Sequence, residues 1–153
     1  MIKVITIGRI KEKSMVEMIS EFTKRMKTIH PLEIIELNNS NKPEGEVNSI
    51  IEDESQRIMA KLTPKDFVIL LDLKGKDLSS PAMSEYLMDK LDKSLPVTFI
   101  IGGSHGVSQE LRDRSHYLWK LSNLTMPHQF VRVLLVEQIY RMFTIRNKHP
   151  YHK

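Results

Sequence analysis

Apolar residues along the chain fall into two rhythms that take turns. Short runs, IKVITIG (2–8), PLEIIELN (31–38), DFVILLDL (66–73), VTFII (97–101) and the weaker HYLWKLS (116–122), alternate with longer segments whose apolar positions recur every three or four residues. The runs have strand length and many β-branched residues, and the spaced segments have the period of amphipathic helices. A first helix spans Ser14 to Met26, with Met15, Met18, Ile19, Phe22 and Met26 on one face; a second spans Val47 to Leu62, through Val47, Ile50, Ile51, Ile58 and Leu62. Ser80-Pro81 supplies an N-cap and a first-turn proline for a third helix to about Leu91, and Ser108 to Arg114 forms a short fourth. The third run is apolar without a break, as in a strand buried on both faces. Five strand-then-helix pairs predict an α/β fold, a mainly parallel sheet with flanking helices, joined by right-handed crossovers.

His128 to Arg146 is the strongest helical segment, with Phe130, Val133, Leu134, Val136, Ile139, Tyr140 and Phe143 in one stripe and Val131, Leu135 and Met142 outside it. A helix apolar on more than one side must be covered on more than one side. In so small a chain a second subunit is the natural cover, which predicts a homodimer. No linker, internal repeat or low-complexity segment interrupts the pattern, so residues 1–153 are expected to form a single domain.

Composition narrows the class. At 153 residues, 41% hydrophobic and 27% charged, the chain suits one soluble core. No apolar run approaches the roughly 20 residues that span a bilayer, and no basic leader precedes IKVITIG, so a cytoplasmic location without membrane association is expected. The absence of cysteine excludes disulfides, thiolate metal ligands and thiol nucleophiles. The net charge of +4 is unevenly spread: residues 1–27 carry seven Lys/Arg against three Glu, residues 28–127 eleven against fifteen acids, and residues 128–153 five against one. Basic ends around an acidic middle point to a polyanionic partner, although ordinary solvated lysines give the same count.

Ligands of open α/β sheets sit beyond the carboxyl ends of the strands. Three loops fall there: LKGKDLSS (73–80), GGSHG (102–106) and SNLTMPHQ (122–129). Each alone reads as a turn that needs glycine or small polar residues, but three at successive strand ends point to a ligand site. The chain has neither G-x-x-x-x-G-K-[ST] nor a G-x-G-x-x-G after its first strand, which excludes a P-loop and a dinucleotide fingerprint. A glycine loop without lysine suits a neutral heterocycle or ribose, such as an adenosyl group. Thr125-Met126-Pro127 opens the last helix with free N–H groups, Thr125 being a plain N-cap, a ligand contact or both.

A competing reading takes VILLDLKGKDLSS as the phospho-acceptor strand of a receiver, a non-catalytic signalling module with Asp72 as acceptor. Against it, GRIKEK stands where a receiver carries the acidic pair that holds Mg²⁺. In the tail NKHPYHK, Pro150 breaks helical geometry between His149 and His152 and no carboxylate is near in sequence, so no metal is expected. The same tail holds His, Tyr and Lys, groups suited to proton transfer and stacking.

The opening VITIGRIKEK, ESQRIMAKL (54–62), LDLKGK (71–76), FIIGGSHG (99–106), LSNLTMPHQ (121–129), VRVLLVEQIYR (131–141) and the terminal HPYHK together resemble the small SPOUT methyltransferases of the RlmH (YbeA) type. The resemblance covers the whole length. It implies an α/β sheet with a C-terminal trefoil knot, a homodimer packed through the knot, and N3-methylation of a pseudouridine in 23S ribosomal RNA, on assembled ribosomes, with S-adenosylmethionine as methyl donor and no metal. Matched position by position, the cofactor contacts implied are Leu71, Gly102, Gly103, Leu121, Ser122, Asn123, Leu124, Thr125 and Met126. For catalysis, the arginines of the last helix and the tail suggest that Arg132 or Arg141 stabilises the deprotonated ring, while His152, with Tyr151, assists the proton's departure or positions the base, in the partner subunit's site. Arg9, Lys11, Arg146, Lys148 and Lys153 would contact RNA phosphates.

Overall fold

In the computed structural model, which describes residues 1–153, ten elements alternate: β1 (Ile2–Ile7), α1 (Lys13–Met26), β2 (Leu32–Leu37), α2 (Val47–Met59), β3 (Phe67–Lys76), α3 (Ser80–Asp92), β4 (Val97–Ile101), α4 (Gln109–Arg114), β5 (Tyr117–Trp119) and α5 (His128–Arg146). The five strands pair in the order β2-β1-β4-β3-β5, and every pairing is parallel. Successive residues of each strand feed opposite faces. Ile2 and Val4 of β1, Ile69 of β3, and Val97, Phe99 and Ile101 of β4 join one core with Met26 of α1, Met83 and Leu87 of α3, and Leu135 and Ile139 of α5. Ile5, Ile7, Val68, Leu70 and Ile100 join the other, with Ile58 of α2 and Leu111 of α4. This division follows from handedness. The connections β1 to β2 and β3 to β4 step one way along the sheet while β2 to β3 and β4 to β5 step the other, so crossovers of one hand must place α1 and α3 opposite α2 and α4.

Several boundaries differ from the sequence reading. The third strand does not end at Leu73: Leu71 and Lys76 both stand opposite Trp119, so residues 72–75 bulge out and the strand rejoins β5 at Lys76. Lys120 N–H then bonds the Lys76 carbonyl at 2.9 Å, and Gly75 lies so close to Leu118 that a Cβ would collide with its carbonyl. The cap of α3 is Ser79, whose Oγ accepts from Ala82 N at 3.2 Å. Ser80 Oγ instead donates to Gln138 Oε1 on α5 at 2.6 Å. Helix α2 stops at Met59, because Lys61 and Leu62 N–H turn back to carbonyls three residues behind. On α5 the expected stripe is buried in part: Val136, Ile139, Tyr140 and Phe143 are buried, Leu135 and Met142 from outside it are fully buried with them, and Phe130 is 46% and Leu134 38% exposed. Contact with both α1 and α3 selects the buried side of a helix that is apolar nearly all round.

Candidate active site

Helices α3 and α4 leave neighbouring strands β3 and β4 toward opposite faces, which opens a crevice between the strands' carboxyl ends. A cavity of about 420 Å³ lies there, within the range of small-molecule sites. Its apolar wall is Leu71, Ile101, Trp119, Leu121 and Val131, and its polar rim is made by the β3 bulge, the β4–α4 loop and the β5–α5 connection.

Backbone groups supply most of the rim. Gly102, Ser104 and His105 donate none of their N–H groups within the chain, and neither do Leu121, Ser122, Asn123, Thr125 and Met126, while Gly103 N–H meets only the Gly106 carbonyl across an isolated bridge. Backbone donors left open at a cavity wall are ready for a ligand with ring nitrogens or hydroxyls. Thr125 is not the cap of α5: Pro127 is, without a side-chain bond; its carbonyl accepts from Phe130 and Val131 N–H, and the N–H groups of His128 and Gln129 stay open. Eight of the nine positions implied by the resemblance line the cavity; Asn123 does not, and its Oδ1 accepts from Lys120 Nζ at 2.6 Å.

The sequence reading missed Arg112 and Trp119, and raised Asp72 only as the acceptor of the competing receiver reading. Asp72 Oδ2 accepts from Arg112 Nε at 2.7 Å and Oδ1 from Lys74 N at 2.8 Å, which closes the bulge on itself. Burial pushes this carboxyl up, but the Arg112 guanidinium and the Lys74 N–H outweigh it, and the group sits below its ordinary value. The ion pair leaves the wall locally neutral. No signal in the sequence paired residues forty positions apart, although both charges were visible. His105 bonds Glu44 Oε1 through Nε2 at 3.1 Å, tying the glycine loop to the segment after β2.

Three of the four expected catalytic residues meet at the far end of α5. Glu137 Oε1 accepts from Tyr151 Oη at 2.9 Å and from Arg141 Nε at 2.9 Å, and the Arg141 guanidinium also stands over the Tyr151 ring, 4.8 Å from its centroid. Arg141 Nη1 lies 3.0 Å from His152 Nδ1. A guanidinium only donates, so Nδ1 accepts, and the neutral imidazole carries its proton on Nε2. Burial first, then the bond to Glu137, raises the Tyr151 phenol. Arg132 is elsewhere. It is 3% exposed, and donates to Glu36 Oε2 at 2.7 Å and to the carbonyls of Ile7 and Gly8 at 3.2 and 3.0 Å. It therefore clamps α5 to the ends of β1 and β2. Of the expected RNA contacts, Arg9 and Lys11 are exposed just beyond β1, at the cavity's edge of the sheet, whereas Lys148 and Lys153 are exposed at the other end of α5, with Arg146 bonded to Asp92 at 2.8 Å.

A family model described as predicted SPOUT methyltransferase matches residues 1–152. The chain belongs to the SPOUT methyltransferase family. Within curated proteins it is 42% identical to the ribosomal RNA large subunit methyltransferase H of Carboxydothermus hydrogenoformans, over 99% of both chains. It is 43% identical to proteins of the same name from Streptococcus pneumoniae strains CGSP14 and TIGR4, again over 99% of each chain. The receiver reading falls with this membership and with the geometry. A receiver-like sheet has the order 2-1-3-4-5, whereas here β4 lies between β1 and β3, and Asp72 is held by Arg112.

Proposed function

We propose that this SPOUT methyltransferase transfers a methyl group from S-adenosylmethionine to N3 of a pseudouridine in 23S ribosomal RNA, position 1915 in the usual numbering, on assembled ribosomes in the cytoplasm. The observation that carries the reading is the cavity at the carboxyl edge, where open backbone donors on two loops face an apolar wall. That donor set fits an adenosyl group, and the closed Asp72–Arg112 pair leaves room for a cationic ligand. Bound there, the cofactor supplies a methyl on a sulfonium, electrophilic without further activation. Gly102, Gly103, Leu121, Ser122, Leu124, Thr125 and Met126 would hold and orient it. The protein's work is then alignment and stabilisation of the N3-deprotonated ring.

Arg141 and His152 suit the second task. With its proton on Nε2, His152 donates toward a ring carbonyl oxygen, so the N3 proton is left to solvent while Arg141 and His152 together offset the ring's negative charge. Arg132 bonds Glu36, Ile7 and Gly8 through Nη1 and Nη2, and its unpaired Nε is buried, so it stays with the clamp rather than the ring. His128 lines the cavity and Arg141 lies thirteen residues further along the helix, about 20 Å at 1.5 Å per residue. A tail so far from its own cavity would serve that of a second subunit, and exposed Phe130 and Leu134 offer an apolar face for it. The trefoil knot implied by the family belongs to the same proposal. Two measurements test it: calorimetry with S-adenosylmethionine, expected to show binding that Gly103→Arg abolishes, and deletion of residues 149–153, expected to stop methylation while cofactor binding persists. Methylation at a near-normal rate by the truncated chain would remove the tail from the mechanism.

A further inference from the structure

The segment ESQRIMAKL begins with a carboxylate that the mechanism does not use. Glu54 on α2 is 4% exposed, and its Oε2 accepts from Ser40 N at 2.8 Å, in the segment between β2 and α2. Its Oε1 has no partner although it is buried. A buried carboxylate oxygen left unpaired is costly. The neighbour it faces is the glycine loop of the cavity: a Cβ on Gly103 would fall on Oε1 itself, so glycine is what lets loop and carboxylate approach. That loop holds a matching surplus, since Ser104 donates its N–H to nothing and Gly103 N–H meets only the Gly106 carbonyl across an isolated bridge. Its far end is already fixed to the same helix, Ser108 N donating to Ser55 Oγ at 2.9 Å.

We infer that Glu54 is a positioning residue for the cofactor loop: when the cavity fills, the N–H of Gly103 or Ser104 turns onto Glu54 Oε1. An acceptor without a donor beside a loop with one open and one weakly held donor defines a second loop position that a ligand on the other side of Gly103 can select. Through Oε2 the same carboxylate holds Ser40, and His105 holds Glu44, so the cofactor loop and residues 38–46 settle together. The inference rests on the methyl-donor reading of the cavity.

The test measures amide hydrogen exchange of residues 102–106 with and without S-adenosylhomocysteine, and the affinity for it by calorimetry, in the wild type and in Glu54→Gln. Glutamine keeps the shape and turns a donor toward the loop. In the wild type, exchange at Gly103 or Ser104 is expected to slow at least about tenfold on binding. In Glu54→Gln the slowing is lost and affinity falls about tenfold, with the unliganded melting temperature within a few degrees. Gly103→Ala, which displaces the carboxylate from the other side, is expected to lose the same protection. Equal slowing in wild type and Glu54→Gln, or equal affinity, overturns the inference and leaves the donor reading standing. Absence of binding by the wild type overturns both.

Discussion

Tyr151 Oη donates to Glu137 Oε1 at 2.9 Å, and this bond joins the C-terminal tail to the last helix. Through Glu137 it also fixes Arg141, and through Arg141 it fixes His152, so the tail is a braced arm. Removing the phenol oxygen therefore disturbs two groups that Tyr151 does not replace. Tyr151→Phe is expected to lower kcat about tenfold and Glu137→Gln more, by roughly 10² or above, with cofactor affinity unchanged in both. Single-turnover methylation beside calorimetry checks this; a matching loss of cofactor affinity would contradict it.

Trp119 is the only tryptophan, it is 3% exposed, and it lines the cavity. Its fluorescence should therefore report ligand binding directly. A saturable change on adding S-adenosylhomocysteine is expected, absent in Gly103→Arg. Gly102→Ala, whose new methyl would run into Val107, should weaken the titration without abolishing the fold.

Phe130 and Leu134 sit one turn apart on α5 and remain exposed, although the helix is otherwise packed on α1 and α3. If this face covers a second copy, Phe130→Asp with Leu134→Asp yields a monomer in sedimentation, and methylation is lost because the tail no longer reaches a partner's cavity. A fully active monomer would overturn the assignment of the tail to the second subunit.

Two groups give stability opposite reasons to fail in acid. Asp72 lies below its ordinary value of 3.8, so the unfolded chain binds its proton first as pH drops; the Asp72–Arg112 contribution is whole above about pH 4 and is lost as pH falls below it. His116 lies below 6.5, chiefly through burial, and its Nδ1 accepts from Val68 N at 2.9 Å, which keeps that nitrogen unprotonated. Its contribution is present above about pH 6.5 and declines beneath it. Denaturant midpoints against pH should show Asp72→Asn losing about 1–3 kcal/mol at pH 7 and less at pH 3, and His116→Gln flattening the slope between pH 7 and 5. An Asp72→Asn deficit equal at both ends would refute the pair's role.

Much of the fold was legible because its signals are local. Unbroken runs such as VTFII and capped, periodic segments reveal their element without knowledge of neighbours, and the three loops followed from where strands end. What stayed hidden depends on contacts far apart in sequence. The bulge at residues 72–75 exists because β5 returns beside β3 with Gly75 against Leu118, a pairing that LDLKGK alone cannot announce. The buried side of α5 was legible only in part, Val136, Ile139, Tyr140 and Phe143 but not Leu135 and Met142, because a helix apolar on more than one side has no single rhythm to choose by, and packing decides. Arg132 looked like a free cation and is a clamp, since Glu36 lies ninety-six residues away. Within the site, the glycines and the tail were visible as chemistry, whereas the meeting of Glu137, Arg141, Tyr151 and His152 required the turn that brings the tail back along its own helix.

The central claim, methyl transfer to N3 of a pseudouridine, is tested most directly by incubating the purified protein with ribosomes that lack the modification and methyl-labelled S-adenosylmethionine, then resolving the nucleosides of the large-subunit RNA by mass spectrometry. The account predicts label in N3-methylpseudouridine at a single position, with none when His152 is replaced by alanine. Label at another base, or transfer undiminished in His152→Ala, would contradict it.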